Sequence, residues 1–225
     1  MSDLTAVLAV AGKDLRQELR SRSVTVATLF FAAITLVVLA FAVGSDQALL
    51  RSIAPGALWV ALAFAGVISA AQSYAAEGEE NAFEQLLLYP VPRAAIYLGK
   101  LLANWLYMAA LAALMLPVTA VLFDLPISGN LPLLLLTLAL GTLGFALIAT
   151  FYAALTANLR ARESLLPVLM FPVVVPILLA AVRATIALTQ LENPALAGDW
   201  LQLLVGFDLV YLVTCIAVFR FVVDE

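Results

Sequence analysis

The chain has 225 residues, 65% of them hydrophobic and 12% charged, with a mean hydropathy of +1.10 and a formal net charge of −4. A soluble domain carries about 25% charged residues, so a single globular core under a water-facing surface is excluded. Histidine is absent and Cys215 is the one cysteine, which also excludes His-based acid–base catalysis, His-ligated metal and disulfides. The 11 Lys and Arg are scattered rather than patched, so there is no nucleic-acid footprint. Membrane spans of roughly 20 residues absorb such a composition, and the expectation is an all-α integral membrane protein in which 1–225 is one permease-like domain.

In chain order, Leu4, Leu8, Ala11, Leu15 and Leu19 share one helical face of the first 22 residues, and Lys13, Arg16, Gln17 and Arg20 the other. That pattern predicts an amphipathic helix lying in the membrane interface. The first span follows at 24–43, too long for a secretory signal core. A second covers 53–76, with Pro55 in its first turn, where a missing N–H costs little. After a polar stretch, further spans are expected at 101–123, 131–156, 165–189 and 201–219. The fifth contains Pro167, Pro172 and Pro176.

Both termini are expected inside. The inner side then holds Lys13, Arg16, Arg20, Arg22, Arg93, Lys100, Arg160, Arg162 and Arg220, against Arg51 and Arg183 outside. Nine against two satisfies the positive-inside rule, in which acidic residues count for little.

The inner stretch 77–93 is the most organised polar segment. Asn81 suits an N-cap with Glu84 in the capping-box position. Phe83, Leu86 and Leu87 form a short apolar face opposite Glu80, Glu84 and Gln85. Pro90 and Pro92 end this helix, and Pro92 suits the first turn of the next, beginning near Arg93. A short acidic-faced helix between two spans is a candidate docking element for a cytosolic partner. On pattern alone, a solvated loop explains it as well.

Several blocks decide between these. They are Lys13-Asp-Leu-Arg-Gln-Glu-Leu-Arg20, Ile53-Ala-Pro-Gly-Ala-Leu-Trp-Val60 and, most distinctive, Phe83-Glu-Gln-Leu-Leu-Leu-Tyr-Pro-Val-Pro92. With Gly99-Lys100, Asn104-Trp105 and Gly141-Thr142 they resemble the CcmB family, the membrane subunit of the ABC-type haem exporter complex of bacterial cytochrome c maturation. Phe83 and Tyr89 depart from the family's usual leucine and small residue.

The resemblance implies an ABC-2-like permease with six spans and a cytosolic coupling helix that docks on an ATP-binding subunit (CcmA-like). The docking residues are then Glu80, Phe83, Glu84, Gln85, Leu86, Leu87, Pro90 and Pro92. It also implies a haem-handling membrane protein (CcmC-like), a small membrane subunit (CcmD-like), a haem chaperone (CcmE-like), two copies per complex and a bacterial inner-membrane location. Two other readings fit the same architecture: an ABC-2-type permease exporting a lipid, glycan or drug, and an assembly scaffold that transports nothing.

The sequence agrees with this division of labour. Gly12-Lys13 and Gly99-Lys100 lack the upstream glycine and the Ser or Thr of a phosphate loop, so ATP is left to a partner. An intramembrane protease is excluded too, since only one acid, Asp208, lies deep in an expected span. Without histidine the usual axial haem ligand is missing, so no cofactor is expected to bind directly, with direct haem contact left open as the alternative.

Asp208 is expected about 10 Å below the outer edge of the last span, seven residues past Leu201 at 1.5 Å per residue. It should pair with Arg183, unless Arg183 snorkels outward and Asp208 faces a watery vestibule. Trp59, Trp105 and Trp200 are expected as interfacial anchors. Met108, Met115, Met170 and Cys215 are expected as apolar packing, and the three prolines of the fifth span as fixed kinks.

Overall fold

In the computed structural model, residues 3–78, 92–127, 130–156, 162–190 and 193–223 are described. They form seven helices and, among the described residues, no strand: α1 Asp3–Ser21, α2 Ser23–Val43, α3 Gln47–Gly78, α4 Arg93–Phe123, α5 Leu131–Thr156, α6 Arg162–Thr189 and α7 Pro194–Val223. Six of them, α2 to α7, are long and apolar enough to cross a membrane.

Local chemistry decides where several of these helices begin and end. Asp46 Oδ1 accepts the free N–H groups of Ala48 and Leu49 at 3.0 and 3.2 Å, which caps α3 at Gln47 rather than at 53. Asn193 Oδ1 accepts the N–H of Leu196 at 3.1 Å, and Pro194 needs no donor in the first helical position. The last helix therefore starts at Pro194, a full two turns before the expected Leu201. Gly44, at φ 75°, ends α2, and Asp124, at φ 51°, ends α4. The third span and the helix expected to begin near Arg93 are one continuous α4 of 31 residues. At 1.5 Å per residue it is about 46 Å long, against a hydrocarbon core of about 30 Å, so its first turns project beyond the core.

The central helices are α3 and α5, and α2 and α7 are the most peripheral of the spans. α3 packs on α2, α4, α5 and α6, while α5 packs on α3, α4, α6 and α7. Small residues let these helices approach closely, the usual source of packing energy between helices in lipid. A Cβ on Gly66 would fall 2.4 Å from Phe145 Cε1, and one on Gly141 would fall 2.3 Å from Trp59 Cη2. Hydroxyls inside the bundle satisfy themselves locally: Thr142 donates to the Leu138 carbonyl at 2.7 Å and Thr185 to that of Ala181 at 2.8 Å, as apolar surroundings require.

Interhelical hydrogen bonds add specific registers. Tyr97 donates to the Leu147 carbonyl at 2.8 Å, Asn104 to Thr150 Oγ1 at 2.9 Å, and Trp105 Nε1 to the Ala139 carbonyl at 2.9 Å. Trp59 corrects its expected role. It is buried well inside α3 and donates to Thr185 Oγ1 at 3.0 Å, so it is a core side chain and not an interfacial anchor. Its span starts at Gln47 instead of 53, which moves Trp59 inward from the helix end.

Candidate functional site

The Arg93 end of the bundle is where the sequence places the docking helix. Glu80, Phe83, Glu84, Gln85, Leu86, Leu87 and Pro90 lie outside the described residues. Pro92 is described. It is the N-cap residue of α4, at φ −56° and ψ 133°, one position earlier than a first-turn proline. Its extended backbone sets the angle at which the chain enters α4.

Beside that entry the structure builds an arrangement the sequence did not disclose. α1 packs chiefly against α4 and barely against α2. Ala6 and Ala11 are buried, whereas Leu4 and Leu8 are exposed. The helix thus has two apolar aspects, a small-residue face against α4 and a leucine stripe left for the membrane interface. The approach is closest at Gly99, where a Cβ would lie 2.6 Å from Val10 Cβ and 2.9 Å from the Val7 carbonyl oxygen. One residue on, Lys100 is fully buried and its Nζ lies 3.3 Å from Asp14 Oδ2, while Lys13 Nζ lies 3.1 Å from Asp14 Oδ1. A buried ammonium needs such a partner. The signal was available in Asp14, an acid among the basic residues of the polar face, and in the adjacent Gly99-Lys100.

At the opposite end, the proline of α3 explains a second cluster. Pro55 sits inside α3, not in its first turn, so the carbonyl of Arg51 four residues back has no helical donor. Gln190 Nε2 supplies one at 2.6 Å and also reaches the Ser52 carbonyl at 3.3 Å. The Arg51 side chain pairs with Asp124, the residue that ends α4, with Nε 3.0 Å from Oδ2. One short segment of α3 is thereby tied to the ends of α4 and α6.

The expected Arg183–Asp208 pair is not formed. Arg183 is exposed on α6, while Asp208 is buried and neither of its oxygens has a hydrogen-bond partner among the described residues. The cause is depth. Because α7 begins at Pro194, Asp208 stands fourteen residues into the helix, about 21 Å along it, and not about 10 Å below the edge. It lies against Gly144 of α5, which Ile177 of α6 also approaches, leaving Arg183 nearer the helix end.

Met108, Met115, Met170 and Cys215 are all buried among apolar neighbours, with Met108 packed over Gly66. Among the described residues no cluster of three or more His, Cys, Asp or Glu side chains could hold a metal.

Helices of this length and hydropathy, joined by close glycine contacts and buried polar seams, define an all-helical, multi-pass membrane protein. The family model described as "CcmB protein" matches residues 5–222. The chain is also similar to proteins named "Heme exporter protein B". One from Pseudomonas aeruginosa is 36% identical over 151 residues, 67% of each chain. One from Rhodobacter capsulatus is 33% identical over 171 residues, covering 76% of this chain and 78% of the relative. One from Bradyrhizobium diazoefficiens is 28% identical over 211 residues, 93% of each. This protein belongs to the CcmB family.

Proposed function

We propose that this protein is the membrane permease subunit of an ABC-type haem exporter complex of cytochrome c maturation. In that role it couples ATP hydrolysis by a separate subunit to haem export or to release of the loaded haem chaperone. The observation that carries this is the family match across residues 5–222, from α1 through the last span. The chain is a transporter component and not itself an enzyme.

The geometry at the Arg93 end supports the coupling role. Residues 79–91, the segment assigned to docking, connect the end of α3 to the start of α4 along the chain, and α1 is packed on the first turns of α4 through Gly99 and Lys100. A push from an ATPase on that segment reaches α4 along the chain, and α1 through its packing on α4. Glu80, Phe83, Glu84, Gln85, Leu86, Leu87, Pro90 and Pro92 are the residues assigned to docking. The nine Lys and Arg that the sequence assigns to the inner side, against Arg51 and Arg183 on the other, support cytoplasmic termini in a bacterial inner membrane.

The assigned partners are a CcmA-like ATP-binding subunit, CcmC-like and CcmD-like membrane subunits and a CcmE-like haem chaperone, with two copies of this chain per complex. No cofactor is assigned to the chain itself; ATP stays on the partner, and the absence of histidine leaves no usual axial ligand for haem.

Co-purification tests the reading. The ATP-binding subunit should accompany the intact protein and be lost with Leu86→Glu or Glu84→Lys, and loaded chaperone should accumulate in cells lacking the protein. A stable membrane complex that contains no ATPase subunit sinks the proposal.

A further inference from the structure

Near the middle of the bundle, three spans meet on a single carboxyl group. Asp208 of α7 is 6% exposed, and both carboxyl oxygens are enclosed without a hydrogen-bond partner among the described residues. The contact is built for it. A Cβ on Gly144 of α5 would lie 2.4 Å from Asp208 Oδ1 and 2.8 Å from Ile177 Cδ1 of α6, so only glycine at that position leaves the carboxyl its place. Gly144 is thirteen residues into α5 and Asp208 fourteen into α7, about 20 Å along helices that each span the membrane. The junction is therefore at mid-depth.

Among the described residues, no counter-charge is paired with it. The one ionisable residue of α5 is Tyr152, two turns toward the Arg93 end. α6 contributes Arg183, exposed and nearer the opposite end, with Arg162 and Glu163 at its start. α4 contributes Tyr107 at mid-length and Arg93, Tyr97 and Lys100 near its start. On α7 itself, Asp199 is exposed, Cys215 is two turns away, Arg220 is more than three turns away near the helix end, and Tyr211 donates its O–H to the Val173 carbonyl of α6 at 3.1 Å. An enclosed, ionised carboxylate without a counter-charge is strongly disfavoured in such a setting, whereas the neutral acid carries no charge to desolvate.

The same junction contains a stretch of α6 backbone interrupted by prolines. Pro172 and Pro176 flank Val173 and deprive the Val168 and Pro172 carbonyls of their helical donors. The Tyr211 bond to Val173 ties α7 to α6 between the two prolines.

We propose that Asp208 is an intramembrane proton-binding site, held as the neutral acid while α5, α6 and α7 are closed and ionised when their junction opens in the transport cycle. On opening, the Asp208 O–H bond breaks and its proton passes to entering water, leaving the carboxylate. On closure a proton is taken back from water.

Infrared spectroscopy of the complete complex reconstituted in lipid tests this. At neutral pH, wild type minus Asp208→Asn should show the C=O stretch of a protonated carboxylic acid, moved to lower frequency in D2O. Asp199→Asn should leave that band intact, and Gly144→Ala, which forces a methyl onto Oδ1, should shift it. Deuterium should enter the group slowly at rest and faster during ATP turnover. The static band tests the site without reference to the ATPase, so its failure is distinguishable from failure of the transporter reading. The proposal is overturned if no such band depends on Asp208, because the group is then ionised and paired with another subunit. It is overturned equally if Gly144→Ala leaves the band unmoved, or if exchange at rest is as fast as in turnover.

Discussion

Replacing Gly99 by valine should lift α1 off α4. The added Cβ would meet Val10 Cβ at 2.6 Å, Val10 Cγ1 at 2.8 Å and the Val7 carbonyl at 2.9 Å. Two of these belong to a short, stiff side chain and the third to helix backbone, so neither can swing aside and α1 itself has to move. Overpacking of this kind costs about 1–3 kcal/mol, which changes the ratio of docked to undocked α1 by roughly 5- to 150-fold. The movement also stretches the Asp14–Lys100 contact, now 3.3 Å, leaving a buried ammonium less well paired and pushing the effect toward the upper end. Ala11, 3% exposed, reports the movement. Ala11→Cys in native membranes should react slowly with a membrane-impermeant maleimide in the otherwise wild-type protein and within the stated factor faster beside Gly99→Val. Gly12→Ala is the control, because its new Cβ meets nothing within 4 Å. Equal labelling with and without Gly99→Val would refute the docking of α1 through this contact.

Two further outcomes follow from individual bonds. Gln190→Ala should destabilise the protein by about 0.5–1 kcal/mol, the low end for a hydrogen bond because the site is at an exposed edge. Combined with Pro55→Ala, which restores the helical N–H to the Arg51 carbonyl, the loss should disappear; a double-mutant cycle in detergent measures this, and strict additivity refutes the compensation. Asn104→Leu, although it removes a buried bond to Thr150, should cost less than about 1.5 kcal/mol, since interhelical hydrogen bonds in membranes average near 0.6 kcal/mol. Thermal unfolding in lipid nanodiscs tests it, and a loss several times larger shows that the bond does more than join α4 to α5.

The number of spans and their order were legible because lipid leaves little freedom. Every backbone polar group must be satisfied within its own segment, so long apolar runs become helices and their lengths count the crossings. The ends were less well read. The Asn193-Pro194 pair is an N-cap followed by a first-position proline and marks the start of α7 in the sequence alone. Hydropathy favoured Leu201 because Asp199 interrupts the apolar run, and that shift of two turns misplaced Asp208. Similarly, Asp46 announced the start of α3, and with it the interior position of Pro55 and the depth of Trp59.

The amino-acid sequence by itself determined the class of protein, the six long apolar helices, the lack of a phosphate-loop motif and of histidine, and, through the 83–92 block, the family. These depend on composition, period and local motif, which are properties of contiguous residues. Only the tertiary structure decided which residues meet: Gly99 with Val10, Lys100 with Asp14, Gln190 with the carbonyl freed by Pro55, and Asp208 with Gly144 in place of Arg183. The reason is rotational. A hydrophobic helix in lipid carries apolar side chains on all sides, so its sequence does not say which face turns inward. That choice belongs to the glycine notches and buried bonds that its neighbours supply.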